Sequence, residues 1–276
     1  MDLEREANKT SYSRGDFMQF FWNSCTSTRA REAGLIRTGY LHSGFSIELA
    51  LKEVDMSSKQ DAAEESNELA SMLTASAALD ADLYSLLEHA WNDSSQRHVV
   101  CMAFCKAAIE HATSQRVLIG DGLHGTALSL IRLHFESVVR AAWVLYGAKD
   151  DWLVKFCEPV PVGELSEPQM GPPLPAMLGA IESVAPQAVL ELRRLNDTVK
   201  IMHSFVHGGV HLVSHALRGY PPEKLVAVLK NRNMLLIILS NVLVAASQKP
   251  GLRGAVRALM DQHGGCMPPV RAGDPP

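Results

Sequence analysis

Residues 124–148 read HGTALSLIRLHFESVVRAAWVLYGA, a stretch apolar on nearly every side of a helical projection. A helix with no solvated face has to be surrounded by others, so this segment predicts the centre of a bundle. A second greasy run, MLLIILSNVLVAA at 234–246, is shorter than the ~20 residues a bilayer span requires and is interrupted by Asn241. It reads as the core of a buried helix from Pro222 to about Ser247. No segment shows the period-two alternation of a half-buried strand, and no internal repeat is present. The expectation is an all-α fold: a helical bundle of about five to seven helices with two long apolar central helices.

The remaining helices follow from punctuation. Asp61 opens DAAEESNELASMLTA and Asp80 opens DADLYSLLEHAW, each able to cap a helix start. A third helix spans about Ser95 to Ile119, and DDWLVKFCE makes a short piece after the central helix. PVPVGELSEPQMGPP is a long Pro/Gly-rich loop of the kind that tends to be functional or mobile. Pro186 suits the first turn of a further helix. Its Ala188, Leu192, Leu195, Val199, Met202 and Val206 alternate by four and three, the stripe of a bundle seam. LRGAVRALMDQ makes a last helix. The domain reading is an N-terminal extension or small helical appendage over 1–60, a bundle over 61–262 and a disordered tail over 263–276.

Bulk properties narrow the function classes. With 47% hydrophobic residues in 276, a sizeable core is expected. A net charge of −4 gives no electrostatic footprint for nonspecific nucleic-acid or lipid binding. Five scattered cysteines argue against a disulfide framework, and Cys101 and Cys105, one helical turn apart, read as buried thiols. The start, MDLEREANKT, lacks the basic-then-apolar pattern of a secretory signal. A cytoplasmic protein without a membrane partner and without a cofactor is expected.

Two polar features interrupt the apolar pattern. On the central helix Arg132, Glu136 and Arg140 follow one another by single turns, with Ser129 on the same side. Charges on so apolar a helix must be paired, either as an ion ladder that fixes register or as a pocket wall in which Arg132 binds an anion and Glu136 orients it. The second feature is HSFVHGGVHLVSH, with His203, His207, His211 and His215 at four-residue intervals. Asn196, Lys200, His203 and His207 fall on one narrow helical face, a quarter-turn from the apolar seam. The whole row cannot serve one zinc. Along a continuous helix His203 and His211 would stand about 12 Å apart, against zinc–nitrogen bonds of about 2 Å. Only a neighbouring pair of the row could share one ion, with Glu136, His134 or Asp121 completing the shell, and no metal site is expected. Gly208–Gly209 also suggests that the helix stops there, leaving His203 and His207 in its last turn.

The segment VLIGDGLHGTALSLIRLHFESVVRAAWVLYGA resembles the central helix of uncharacterised bacterial helical families. Their pattern there is a small residue, Ala-Leu, then R-x-x-[FL]-E and R-[AG]-x-W. It is filled here by Thr126, Ala127, Leu128, Arg132, Phe135, Glu136, Arg140, Ala141 and Trp143. A later block like N-S-[FY]-x-H-[GT]-G is matched by HSFVHGG, with His203 in the Asn position. The resemblance covers roughly 61–248. Such families are similar to HEPN-like bundles, many of which are RNA-cleaving toxins or defence effectors. The resemblance implies a homodimer, a possible RNA or protein partner, and a site on the histidine-bearing helix. His207 would be the acid or base, His203 a neighbour, and Lys200 and Arg132 would hold a phosphate beside Glu136. The HEPN signature of an arginine four to six residues before the histidine is not met; Lys200, seven positions before His207, is the basic residue available.

Three readings of function result. One is a dimerising or partner- or anion-binding module, of the kind found in bacterial defence or stress response. The others are a metal-independent ribonuclease using His207 and a metal-binding protein using His203 and His207.

Overall fold

The structure, a computed structural model, describes residues 56–159 and 171–269. Side chains at 56–63, 197, 198, 200, 201 and 203 fall outside that description, as do the stretch 1–55 and most of the proline-rich loop. Every described element is helical. In chain order they are α1 (Met56–Leu87), α2 (Gln96–Gly120), α3 (His124–Tyr146), α4 (Asp150–Phe156), α5 (Leu174–Glu182), α6 (Pro186–Val206), α7 (Val210–Arg218), α8 (Pro222–Ser247) and α9 (Leu252–Gln262), closed by a 3-10 turn at Gly264–Cys266. Among the described residues six helices reach eleven residues or more, and α4, α5 and α7 are shorter. The fold is the expected all-α bundle.

Local chemistry sets the helix ends. The Ser95 hydroxyl accepts from the His98 N–H at 3.3 Å and so satisfies one of the free donors at the start of α2. Pro222 stands in the first turn of α8, where its missing N–H costs nothing. Gly147 ends α3, and a Cβ there would come within 2.7 Å of the Ala180 Cβ. That glycine lets α5 lie close against α3.

The two apolar helices take the central positions. α3 buries Leu128, Ile131, Phe135, Val138, Val139, Ala142 and Val144, and packs against α2, α5, α6 and α8. α8 buries most of its length against α1, α2 and α3. It is long and apolar enough to cross a membrane, yet 72% of its most apolar window is buried inside the bundle. Leu79 and Leu83 of α1 are fully buried, each contributing on the order of 1.5–3 kcal/mol of transfer free energy. Cys101 and Cys105 are buried free thiols; hydrogen bonding between them comes first in raising the Cys105 thiol, with burial second.

Four sequence expectations change. The patterns opened by Asp61 and Asp80 form one continuous helix, α1, so neither aspartate caps a helix. Helix α5 occupies Leu174–Glu182, which the sequence reading left between the loop and Pro186. The tail expected to be disordered from 263 is folded as far as the 3-10 turn, where Cys266 and Met267 are buried. The α6 seam holds at Leu192, Leu195 and Val199, whereas Val189 rather than Ala188 is deeply buried and Phe205 replaces Val206 at its end.

The reason Asp80 lies inside a helix is a buried ion pair. Its carboxylate meets the Arg232 guanidinium edge-on, Nη1–Oδ1 at 2.6 Å and Nη2–Oδ2 at 2.7 Å, and accepts from Arg116 Nε at 2.9 Å. Arg232 Nε donates to the Ala112 carbonyl at 3.0 Å and Nη1 donates to Asn233 Oδ1 at 3.0 Å. The Asn233 amide donates in turn to Ser76 Oγ and to the Cys266 carbonyl, both at 2.9 Å. α1, α2, α8 and the 3-10 turn are thus joined by one polar network at the bundle core. Burial alone would lower the Arg232 pKa; the adjacent Asp80 charge and its hydrogen bonds outweigh that and keep the guanidinium protonated.

Candidate functional site

The polar ladder on α3 is an ion-paired stack. Arg132 Nε donates to Glu136 Oε1 at 2.7 Å, and Arg140 Nη1 donates to Glu136 Oε2 at 3.0 Å. All three side chains are partly open to solvent. Burial would raise the Glu136 carboxyl, but hydrogen bonds from Arg132 and Arg140 prevail and hold it below the usual carboxylate range. Glu136 is therefore a fixed anion between two cations, able to position them and poorly suited to carry a proton.

One turn before Arg132, Ser129 Oγ donates to the Phe205 carbonyl at 3.2 Å and to its own helix at the Gly125 carbonyl at 3.0 Å. This contact fixes the end of α6 against α3. His207 follows Phe205 by two residues, one position beyond the helix, and is exposed. Lys200 and His203 belong to α6; their side chains lie outside the described residues. The helix of Arg132 and Glu136 and the helix end leading to His207 therefore meet at Ser129.

The histidine row is divided between two helices. Gly208 takes φ +66°, in the left-handed region open to glycine, and α6 stops before it. Gly209 N–H donates to the Ser204 carbonyl at 2.6 Å, and a Cβ on Gly209 would collide with the Ser204 side chain. Ser204 Oγ accepts from the His211 N–H at 3.1 Å, capping α7 from the preceding helix. His215 stacks between Phe205 (centroids 6.0 Å, interplanar 16°) and Tyr220 (5.2 Å, 23°), and its Nδ1–H donates to the Gly219 carbonyl at 3.1 Å. His124 meets Tyr220 edge-on at 5.2 Å. His215 thus fastens α7 to the bundle, while His207 and His211 stay exposed. Among the described residues no three His, Cys, Asp or Glu side chains stand close enough to hold a metal.

Helix α7 is unusual in burying no residue. Leu212 faces Gly125 closely enough that a Cβ there would lie 2.8 Å from it. The opposite side presents Val210 (75% exposed), Val213 (53%) and Leu217 (83%), and Val206 (39%) at the end of α6 is exposed as well. Leu123, 54% exposed, adjoins His124, whose ring meets Tyr220 just beyond α7.

Sequence reasoning did not foresee the burial of Asp80, Gln115, Arg232 and Asn233, and named His134 only as a possible metal ligand. Each is a polar residue on a helix whose only clue was its place among apolar neighbours. Against known proteins, residues 105–269 match a family of unknown function, DUF6988. No curated protein and no solved structure matches the chain.

Proposed function

We propose that this chain, which belongs to the DUF6988 family, is a self-associating helical module whose second copy docks on the α6–α7 corner. The carrying observation is the stripe of Val210, Val213 and Leu217, left in solvent by a helix that buries nothing, with Val206 at the end of α6 also exposed. Val210, Val213 and Leu217 stand at helical intervals of three and four, a helix-pairing face, and among the described residues no helix covers it. Residues 203–221 contain no Asp or Glu, and Arg218 is the one Lys or Arg, so the stripe runs uncharged. An uncharged apolar stripe complements itself: two α7 helices related by a two-fold axis pack Val213 against its counterpart without stranding a charge. Each of these side chains, if fully covered, contributes on the order of 1.5–3 kcal/mol. A stable interface needs about 800 Å² from each partner, more than α7 offers, so the contact extends over Val206 and toward Leu123.

Light scattering on the full chain at micromolar concentration is expected to give twice the chain mass. The double variant Val213→Asp/Leu217→Asp is expected to give the single-chain mass with unchanged helical circular dichroism. A wild type that runs at single-chain mass removes this reading.

A second reading, metal-independent RNA cleavage in the manner of the HEPN-like bundles, is favoured by the junction at Ser129. It sets the helix of Arg132, with its paired arginines about Glu136, against the segment leading to exposed His207. His207 would exchange protons with the ribose hydroxyl or the leaving oxygen while arginine held the phosphate. Single-stranded and structured RNA incubated with the chain in EDTA would then be cut, and His207→Ala would abolish cutting with mass and fold intact. Intact RNA at high protein concentration removes this reading without touching the first. A place in the cytoplasm and in bacterial defence or stress response accords with either and awaits the identity of the partner.

A further inference from the structure

A small cavity lies where α2, α3, α6 and α8 meet, with Ile131, Val199 and Leu235 among its apolar walls. Its polar lining comes from Gln115, Asn231 and Arg232. Gln115 is fully buried, and neither its Oε1 nor its Nε2 has a hydrogen-bond partner among the described residues. A buried amide left unmatched loses its hydration without replacement, so two such atoms beside one hollow call for an occupant.

The donors and acceptors define that occupant. Arg232 offers five N–H groups, and among the described residues four are engaged: Nε with Ala112, Nη1 with Asp80 and Asn233, and Nη2 once with Asp80. The occupant must accept from the Gln115 amide and the remaining Nη2 hydrogen, and must also donate to Gln115 Oε1. A halide or a carboxylate cannot donate, and an ammonium ion cannot accept. The cavity volume, about 10 Å³, stands at the lower limit for a single water and leaves no room for a larger group.

We propose that this cavity is an internal water site, in which a single long-lived water bridges Gln115 of α2 to Arg232 of α8. The water extends the Asp80–Arg232–Asn233 network toward α6, whose Leu195 and Val199 line the cavity.

The test is a count of long-lived waters in the full chain by oxygen-17 relaxation dispersion, in the wild type and in Gln115→Met, paired with urea unfolding. The variant is expected to hold one long-lived water fewer and to lose roughly tenfold in its folding equilibrium constant, because a hydrogen-bonded bridge has gone. A dry cavity predicts the reverse sign, since methionine would then relieve two unmatched atoms and stabilise the fold. An unchanged water count, or a more stable variant, overturns the proposal. If Gln115→Met does not fold, a high-resolution crystal structure of the wild type decides the matter. Density within hydrogen-bonding distance of both Gln115 and Arg232 supports the site, and an empty or collapsed cavity sinks it.

Discussion

Replacing Asp80 by alanine is expected to lower stability by about 3–5 kcal/mol, enough to unfold much of the population of a marginal domain. The loss comes less from the attraction removed than from what remains. Arg232 is fully buried in the middle of α8, and without Asp80 no carboxylate meets it among the described residues. Arg116, which also donates to Asp80, would lose its acceptor at the same time. Arg232→Met in the Asp80→Leu background is expected to recover most of the loss, because apolar groups of similar volume often replace a buried ion pair at little net cost. Urea midpoints at constant slope measure both effects. An Asp80→Ala protein within about 1 kcal/mol of wild type would contradict this account of the core.

Acid is expected to weaken the fold through His134. Its imidazole is fully buried on α3, with neither nitrogen hydrogen-bonded among the described residues. Burial is the main force holding its pKa well below the ordinary histidine value, and the charge of Arg232 on α8 and the proximity of His111 on α2 act in the same direction. His111, half-buried on α2, is itself lowered by burial against the opposing pull of Glu110. The native state therefore keeps His134 neutral while the unfolded chain takes up a proton near the free-histidine value of about 6.5. Stability is full above that pH. It falls as pH drops below it, by up to about 1.4 kcal/mol per pH unit, until the native group itself protonates. His134→Phe is expected to flatten this dependence between about pH 6.5 and 5, the window above most carboxylate titration. Parallel slopes for wild type and variant across the same window would show that His134 is not the group responsible.

Much of the bundle was legible because its signals are local. Ser95 caps α2, Pro222 opens α8, glycine 147 closes α3, and the apolar surface of α3 and α8 announces that they lie inside. The Arg132–Glu136–Arg140 stack was legible for the same reason, since partners one turn apart can be read from spacing alone. Asp80 was misread because its residue type favours a helix start, while its true partner is 152 positions away. Only packing brings Arg232 to it, so α1 continues through a residue that local preference would place at an end. The row of histidines looked like one face of one helix. Gly208, with its left-handed backbone, divides it between two helices: His207 and His211 are exposed, and His215 serves as a fastener.

The span 105–269 that matches the family begins inside α2 and omits all of α1. Both arginines of the central network, Arg116 and Arg232, fall inside that span, and the acid that neutralises them lies before it, at Asp80. A fragment excised at 105 would expose the apolar flank of α8 that Leu79 and Leu83 help cover, and would strand a guanidinium with no counter-ion. The folding unit is therefore wider than the matched span, and in this chain the first helix is an internal prop of that segment rather than an appendage to it.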